Sequence, residues 1–65
     1  VNNYFPFSIG DVVMVKHKYK TNTYRHGFIQ SIDKVGLHAY YYIYFFDNQN
    51  TEIKGYHDLR AVNAS

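Results

Sequence analysis

The chain has 65 residues, 20% of them aromatic and 18% charged, with no cysteine and a formal net charge of +2. That length allows one domain at most, and the missing cysteine excludes disulfides, thiolate metal sites and thiol nucleophiles. The weak positive charge permits a nucleic-acid or acidic partner without requiring one.

A domain this small buries only ~60% of the surface its unfolded chain exposes, so its core has to be dense in large side chains. The 8 Tyr and 5 Phe can supply that density. A secreted module of this size usually needs disulfide staples, so an intracellular setting is expected. No apolar run approaches the ~20 residues of a membrane span, and no charged-then-apolar start marks a secretion signal. The sequence begins at Val1 and not Met, which suggests a piece of a longer protein.

In chain order, residues 1–7 read as a lead-in, either disordered or packing Phe5 and Phe7 outside the core. Ser8 to Asp11 forms a turn. Residues 11–18 alternate Val13, Val15 and His17 against Val12, Met14 and Lys16, which is the period of a half-buried strand. Residues 18–23 are polar and predict a loop. Residues 24–33 predict a second strand, with Gly27 marking a bulge or sharp bend. Residues 33–36 predict a turn that uses Asp33.

Residues 37–47 form the longest predicted strand, rich in the rings that favour a pleated surface. Alternation divides it: Tyr40, Tyr42, Tyr44 and Phe46 share one face, while Tyr41, Ile43 and Phe45 share the other. One face should line the interior. Asp47 to Asn50 predicts a tight turn, and residues 51–56 a fourth strand. Residues 57–60 predict one helical turn capped by Asp58, and Ala61-Val62 a brief closing strand. Residues 63–65 form a tail, whose Asn-Ala-Ser matches the glycosylation triplet as three residues easily do by chance. Four or five short strands in about 60 residues suggest a small, strongly bent all-β barrel, because closure removes aromatic edges that an open sheet would leave unpaired.

Enzymatic chemistry finds little support. His17, His26, His38 and His57 never pair at i, i+2 or i, i+4, and no metal or cofactor is expected. The carboxylates sit at turns or, like Glu52 beside Lys54, on a solvated strand face. No nucleophile–base constellation or glycine-rich phosphate loop is present. A non-enzymatic interaction module is expected.

The order of these pieces resembles a Tudor domain of the Royal superfamily. Gly10-Asp11 followed by the alternating residues 12–15 resembles its opening strand. Residues 24–29 resemble its aromatic-rich second strand, Ile43 to Asn50 its third strand and turn, and Glu52-Ile53 with residues 58–62 its closing end. The resemblance covers about residues 8–62. It implies an SH3-like (Tudor-type) barrel of five strands with a short helical turn before the last one, and an aromatic cage for methylated lysine or arginine. A methylated cation keeps its charge but is poorly hydrated, so ring faces attract it by ~0.5–2 kcal/mol per good contact.

Carried over residue by residue, the cage comprises Tyr19, Tyr24, Phe45, Asp47 and Asn50: three rings and two polar acceptors. Asn48 stands where many members of the family have a ring. If Gly27 takes the family's small-residue position, the usual cage Tyr aligns with Arg25; a bulge at Gly27 brings in Tyr24 instead. A fixed cation in the cage would repel a methylated one. The implied partner is a methylated peptide of a histone or RNA-associated protein, in the nucleus or in cytoplasmic ribonucleoprotein granules, with this chain a monomeric module of its parent.

Two alternatives stand beside that expectation. Lys16, Lys18, Lys20 and Arg25, interleaved with Tyr19 and Tyr24, suit single-stranded RNA, by phosphate contact and by stacking worth ~1–3 kcal/mol per base. An incomplete cage would instead leave a protein-docking scaffold.

Overall fold

The computed structural model describes residues 7–62; Phe5 and the 63–65 triplet lie outside them. The elements are β1 (Val12–Lys16), β2 (Tyr24–Val35), β3 (His38–Phe45), β4 (Thr51–Gly55), a 3-10 turn (Tyr56–Asp58) and β5 (Leu59–Ala61). The strands form one antiparallel sheet in the order β4-β3-β2-β1-β5. All eight core residues come from this single sheet: Val13, Val15, Ile29, Ala39, Tyr41, Ile43, Phe45 and Leu59. With no second layer among the described residues, the sheet has to curl so that one of its own faces is enclosed.

The aromatic strand shows how. Tyr41, Ile43 and Phe45 are fully buried, whereas Tyr40 and Phe46 are exposed and Tyr42 and Tyr44 half-buried on the outer face. Burying side chains of this size stabilises by about 1.5–3 kcal/mol each. Outside, Phe28, Tyr44 and Phe46 form a ring cluster with centroids 5.3–6.2 Å apart.

The twelve-residue β2 is the spine of the bend. Residues 24–28 pair with β1, and residues 27–35 pair with β3. The register shift expected at Gly27 lies instead between Ile29 and Ser31. Gly27 has another task. A Cβ there would land on the Tyr44 carbonyl oxygen and the Ile43 Cγ2, so its bare backbone lets β2 and β3 close up.

The turns follow their residue chemistry. Asp11 Oδ2 accepts the Ser8 N–H at 2.8 Å, and the Asp11 N–H returns to the Ser8 carbonyl. Asp33, expected in a turn, pairs with Tyr40 inside the ladder, and the loop tightens to Gly36-Leu37. Gly36, at φ 61°, supplies the positive φ that a two-residue hairpin loop needs at its first position. The helical turn starts one residue early, at Tyr56, and the Gly55 N–H reaches Asp58 Oδ2 at a long 3.4 Å. Phe7 does not pack outside: it packs against the core, edge-on to Tyr41 and tilted against Tyr56.

Candidate cation site at the rim of the sheet

Strand parity decides which side chain enters the rim. Residues directly opposite one another share a face. Lys16 opposes Tyr24 on the outer face, and the buried Val15 opposes Arg25 on the inner one. Without a shift at Gly27, Arg25 takes the inner position and Tyr24, 41% exposed, stays outside. Tyr24 is therefore corrected from cage wall to outer-face residue.

Phe45 lies opposite Gly27, diagonal to Arg25. The guanidinium carbon of Arg25 stands 3.8 Å from the centroid of its ring. At that distance the planar cation stacks on the negative face of the quadrupole. Two carboxylates hold it there. Arg25 Nε and Nη2 donate to Asp47 Oδ2 at 2.8 Å and Oδ1 at 3.1 Å, a fork-to-fork pair, and Nη1 donates to Glu52 Oε2 at 3.2 Å. Glu52 also meets Lys54 Nζ at 3.4 Å. The Arg25 side chain is 16% exposed.

The electrostatics agree with the geometry. The hydrogen bond from Arg25 holds the Asp47 carboxyl below its ordinary range. For Glu52, burial pushes the carboxyl upward, but the bond to Arg25 and the nearby positive charges outweigh it, and the net shift is downward. Arg25 is held more firmly protonated, chiefly by Asp47.

A cleft of about 400 Å³ opens beside the stacked guanidinium, bordered by Lys16, Lys18, Tyr19, Arg25, Asp47 and Lys54. Tyr19 is 84% exposed. Its N–H donates to His17 Nδ1, the two rings meet edge-on at 6.4 Å, and Lys18 Nζ lies 5.7 Å from the Tyr19 centroid. The His17 N–H donates to the Thr23 carbonyl at 2.7 Å and closes the loop.

Of the five proposed cage residues, the structure brings Phe45 and Asp47 together, through Arg25. Tyr19 opens onto the same cleft. Asn50 serves the turn: its carbonyl accepts the Phe45 N–H and its N–H donates to Asn48 Oδ1. Phe45 is 0% exposed and its outward-looking face is covered by the chain's own cation. Of the four basic residues, Lys16, Lys18 and Lys20 are exposed, while Arg25 is spent on its carboxylates.

Two participants escaped the sequence reading. Glu52 is an Arg25 ligand and not only a solvated strand residue, and His17 organises the loop. The available signal was parity: Arg25 on the inner side of its strand, facing carboxylates near the third turn. Among the described residues, no three His, Asp or Glu side chains cluster as metal ligands. No family model, curated protein or solved structure matches this chain.

Proposed function

We propose that this chain is a Tudor-like, SH3-like small barrel acting as a non-enzymatic interaction module, and that its first hairpin contacts single-stranded RNA. The observation that carries this reading is the stacked Arg25. It fills the place a foreign methylated cation would take, and it engages both nearby carboxylates. The rim that remains is cationic: Lys16, Lys18 and Lys20 stand exposed around an 84% exposed Tyr19 ring. Exposed cations along a loop suit phosphates, and an exposed ring suits a base.

The test is an anisotropy titration with a short single-stranded RNA at several salt concentrations. Three phosphate contacts predict a slope of log Kobs against log salt of about −2. A slope near zero, or equal binding by a Lys16, Lys18 and Lys20 triple alanine variant, would sink the reading.

A second reading rests on a specific feature. The Phe45 face with Asp47 and Glu52 already holds one guanidinium, that of Arg25, which supports reading it as a receptor for a foreign one. A methylated Arg or Lys peptide would enter by displacing Arg25. The tethered rival acts at an effective concentration of order millimolar or more, which weakens any such binding accordingly.

A further inference from the structure

We infer that two copies of this chain pair antiparallel along their β4 strands, centred on Ile53. The expectation of a monomeric module gives way here to a weak, self-complementary edge.

Among the described residues β4 lies at one end of the sheet and has only β3 beside it. Backbone direction along β4 follows from one bond. The Phe45 N–H donates to the Asn50 carbonyl at 2.9 Å. Bonded and non-bonded pairs alternate along an antiparallel ladder. Counting from Phe45–Asn50 through the register, Ile43–Glu52 and Tyr41–Lys54 are bonded pairs, while Tyr44–Thr51 and Tyr42–Ile53 are not. The N–H and C=O groups of Thr51 and Ile53 therefore point away from β3, toward the open edge. Gly55 already turns its N–H to Asp58.

Natural edges are blunted by proline, a bulge or an inward charge. This one has no proline and no register shift. Its two inward charges, Glu52 and Lys54, lie opposite the buried Ile43 and Tyr41. They are of opposite sign and 3.4 Å apart, so they offset one another and do not repel a second strand carrying the same pair. Its central side chain is apolar: Ile53 is 56% exposed.

The sequence of the edge, Thr51-Glu52-Ile53-Lys54-Gly55, is what selects the partner. Fold it against itself about a two-fold axis through Ile53, and Ile53 meets Ile53 in a bonded pair, exchanging the two groups that β3 leaves free. Thr51 meets Gly55, where no side chain obstructs. Glu52 meets Lys54 twice, at the non-bonded positions where side chains approach most closely. Within one copy Lys54 already sits 3.4 Å from Glu52. Pairing exchanges that contact for its equivalent across the axis, so no charge is left alone. A strand of arbitrary sequence would not match these signs; a second copy does. Five residues a side make an interface well below the ~1,600 Å² of stable complexes, so association belongs in the micromolar to millimolar range.

Analytical ultracentrifugation of the 65-residue chain should show the weight-average mass rising toward twice the monomer value over that range. Amide exchange on the same samples should slow with concentration at Thr51 and Ile53. Ile53→Pro removes the outward N–H, spares the bonds to β3 and should keep the chain monomeric. Glu52→Lys and Lys54→Glu each place like charges opposite one another and should weaken self-association about tenfold. Mixing those two variants restores opposite signs at both contacts and should restore the doubled mass. A monomer throughout the range overturns the inference. So does a dimer that survives all three substitutions, or one whose Thr51 and Ile53 amides exchange at the monomer rate; that readout needs no variant to fold.

Discussion

Replacing Arg25 with alanine removes the plug from the rim. The loss can be worked from the structure. The stack at 3.8 Å on a buried ring is worth about 1 kcal/mol. Two methylenes of a side chain only 16% exposed lose burial worth about 0.8 kcal/mol each. The carboxylate partners are half and about one-third exposed, and pairs of that kind are largely screened. The sum is about 2–3 kcal/mol, or a melting temperature lower by about 10–20 °C for a domain of this size. Thermal unfolding followed by circular dichroism reads it directly.

The same variant exposes the Phe45 face between Asp47, which has lost its cation, and Glu52, which keeps only Lys54. It should therefore gain measurable affinity, by isothermal titration or chemical-shift mapping, for a peptide carrying dimethylarginine or trimethyllysine. Guanidinium chloride at low millimolar concentration should raise its melting temperature relative to an equal concentration of sodium chloride, since whatever binds only the folded form stabilises it. An alanine variant as stable as the parent would refute the packing estimate. A parent that takes the methylated peptide as tightly as the variant would show that Arg25 does not hold the site in solution.

Three further outcomes follow from named contacts. Asp47 and Glu52 have carboxyls depressed in the folded state by Arg25, so their contribution is fully present above the ordinary values of 3.8 and 4.5 and is lost as pH falls below them; urea midpoints between pH 7 and pH 3 should drop more for the parent than for Arg25→Ala. Gly27→Ala forces a methyl against the Tyr44 carbonyl and should cost about 3 kcal/mol or more, seen as loss of amide dispersion at room temperature. The Tyr41 hydroxyl is buried with no hydrogen-bond partner among the described residues, and burial raises its pKa; Tyr41→Phe should be neutral to stabilising by about 1 kcal/mol in urea unfolding, and marked destabilisation would reveal a partner for that oxygen.

The sheet was legible because its periods are strict. Val13 and Val15, and Tyr41, Ile43 and Phe45, alternate with outward neighbours, and both alternations sort cleanly into buried and outer sets. Turn residues placed every loop within two or three residues, though Asp33 fell inside a longer strand. The rim was harder, since period 2 makes every assignment hostage to a single bulge. Putting that bulge at Gly27 swaps Tyr24 for Arg25; the shift lies beyond Ile29, too late to rescue the ring. Nothing local distinguishes a glycine that bulges from one that lets two strands touch. The place of Phe45 two residues before Asp47 marks the right neighbourhood, but spacing along a strand carries no measure of depth, and the ring is fully buried. A ring can belong to the core and still present one face to a cation, as the stacked Arg25 demonstrates.

One residue thus decides whether the rim offers unpaired carboxylates, and the two functional readings exclude each other through it. With Arg25 seated, Arg25 and Lys54 together offset Asp47 and Glu52, and Lys16, Lys18 and Lys20 present an uncompensated positive edge. With Arg25 gone, two carboxylates face the cleft that Lys16, Lys18 and Lys54 border. Arg25 makes no phosphate contact in the RNA reading, since its donors are already engaged. Its removal should therefore leave the salt slope near about −2 while lowering RNA affinity several-fold, by returning negative charge to within a Debye length of about 8 Å. Lys18→Ala should do the opposite, reducing the slope by about 0.7 without creating any site for a methylated cation. If Arg25→Ala instead flattens the slope by a full contact, the guanidinium leaves its carboxylates to meet phosphate, and the rim is a movable cation and not a fixed plug.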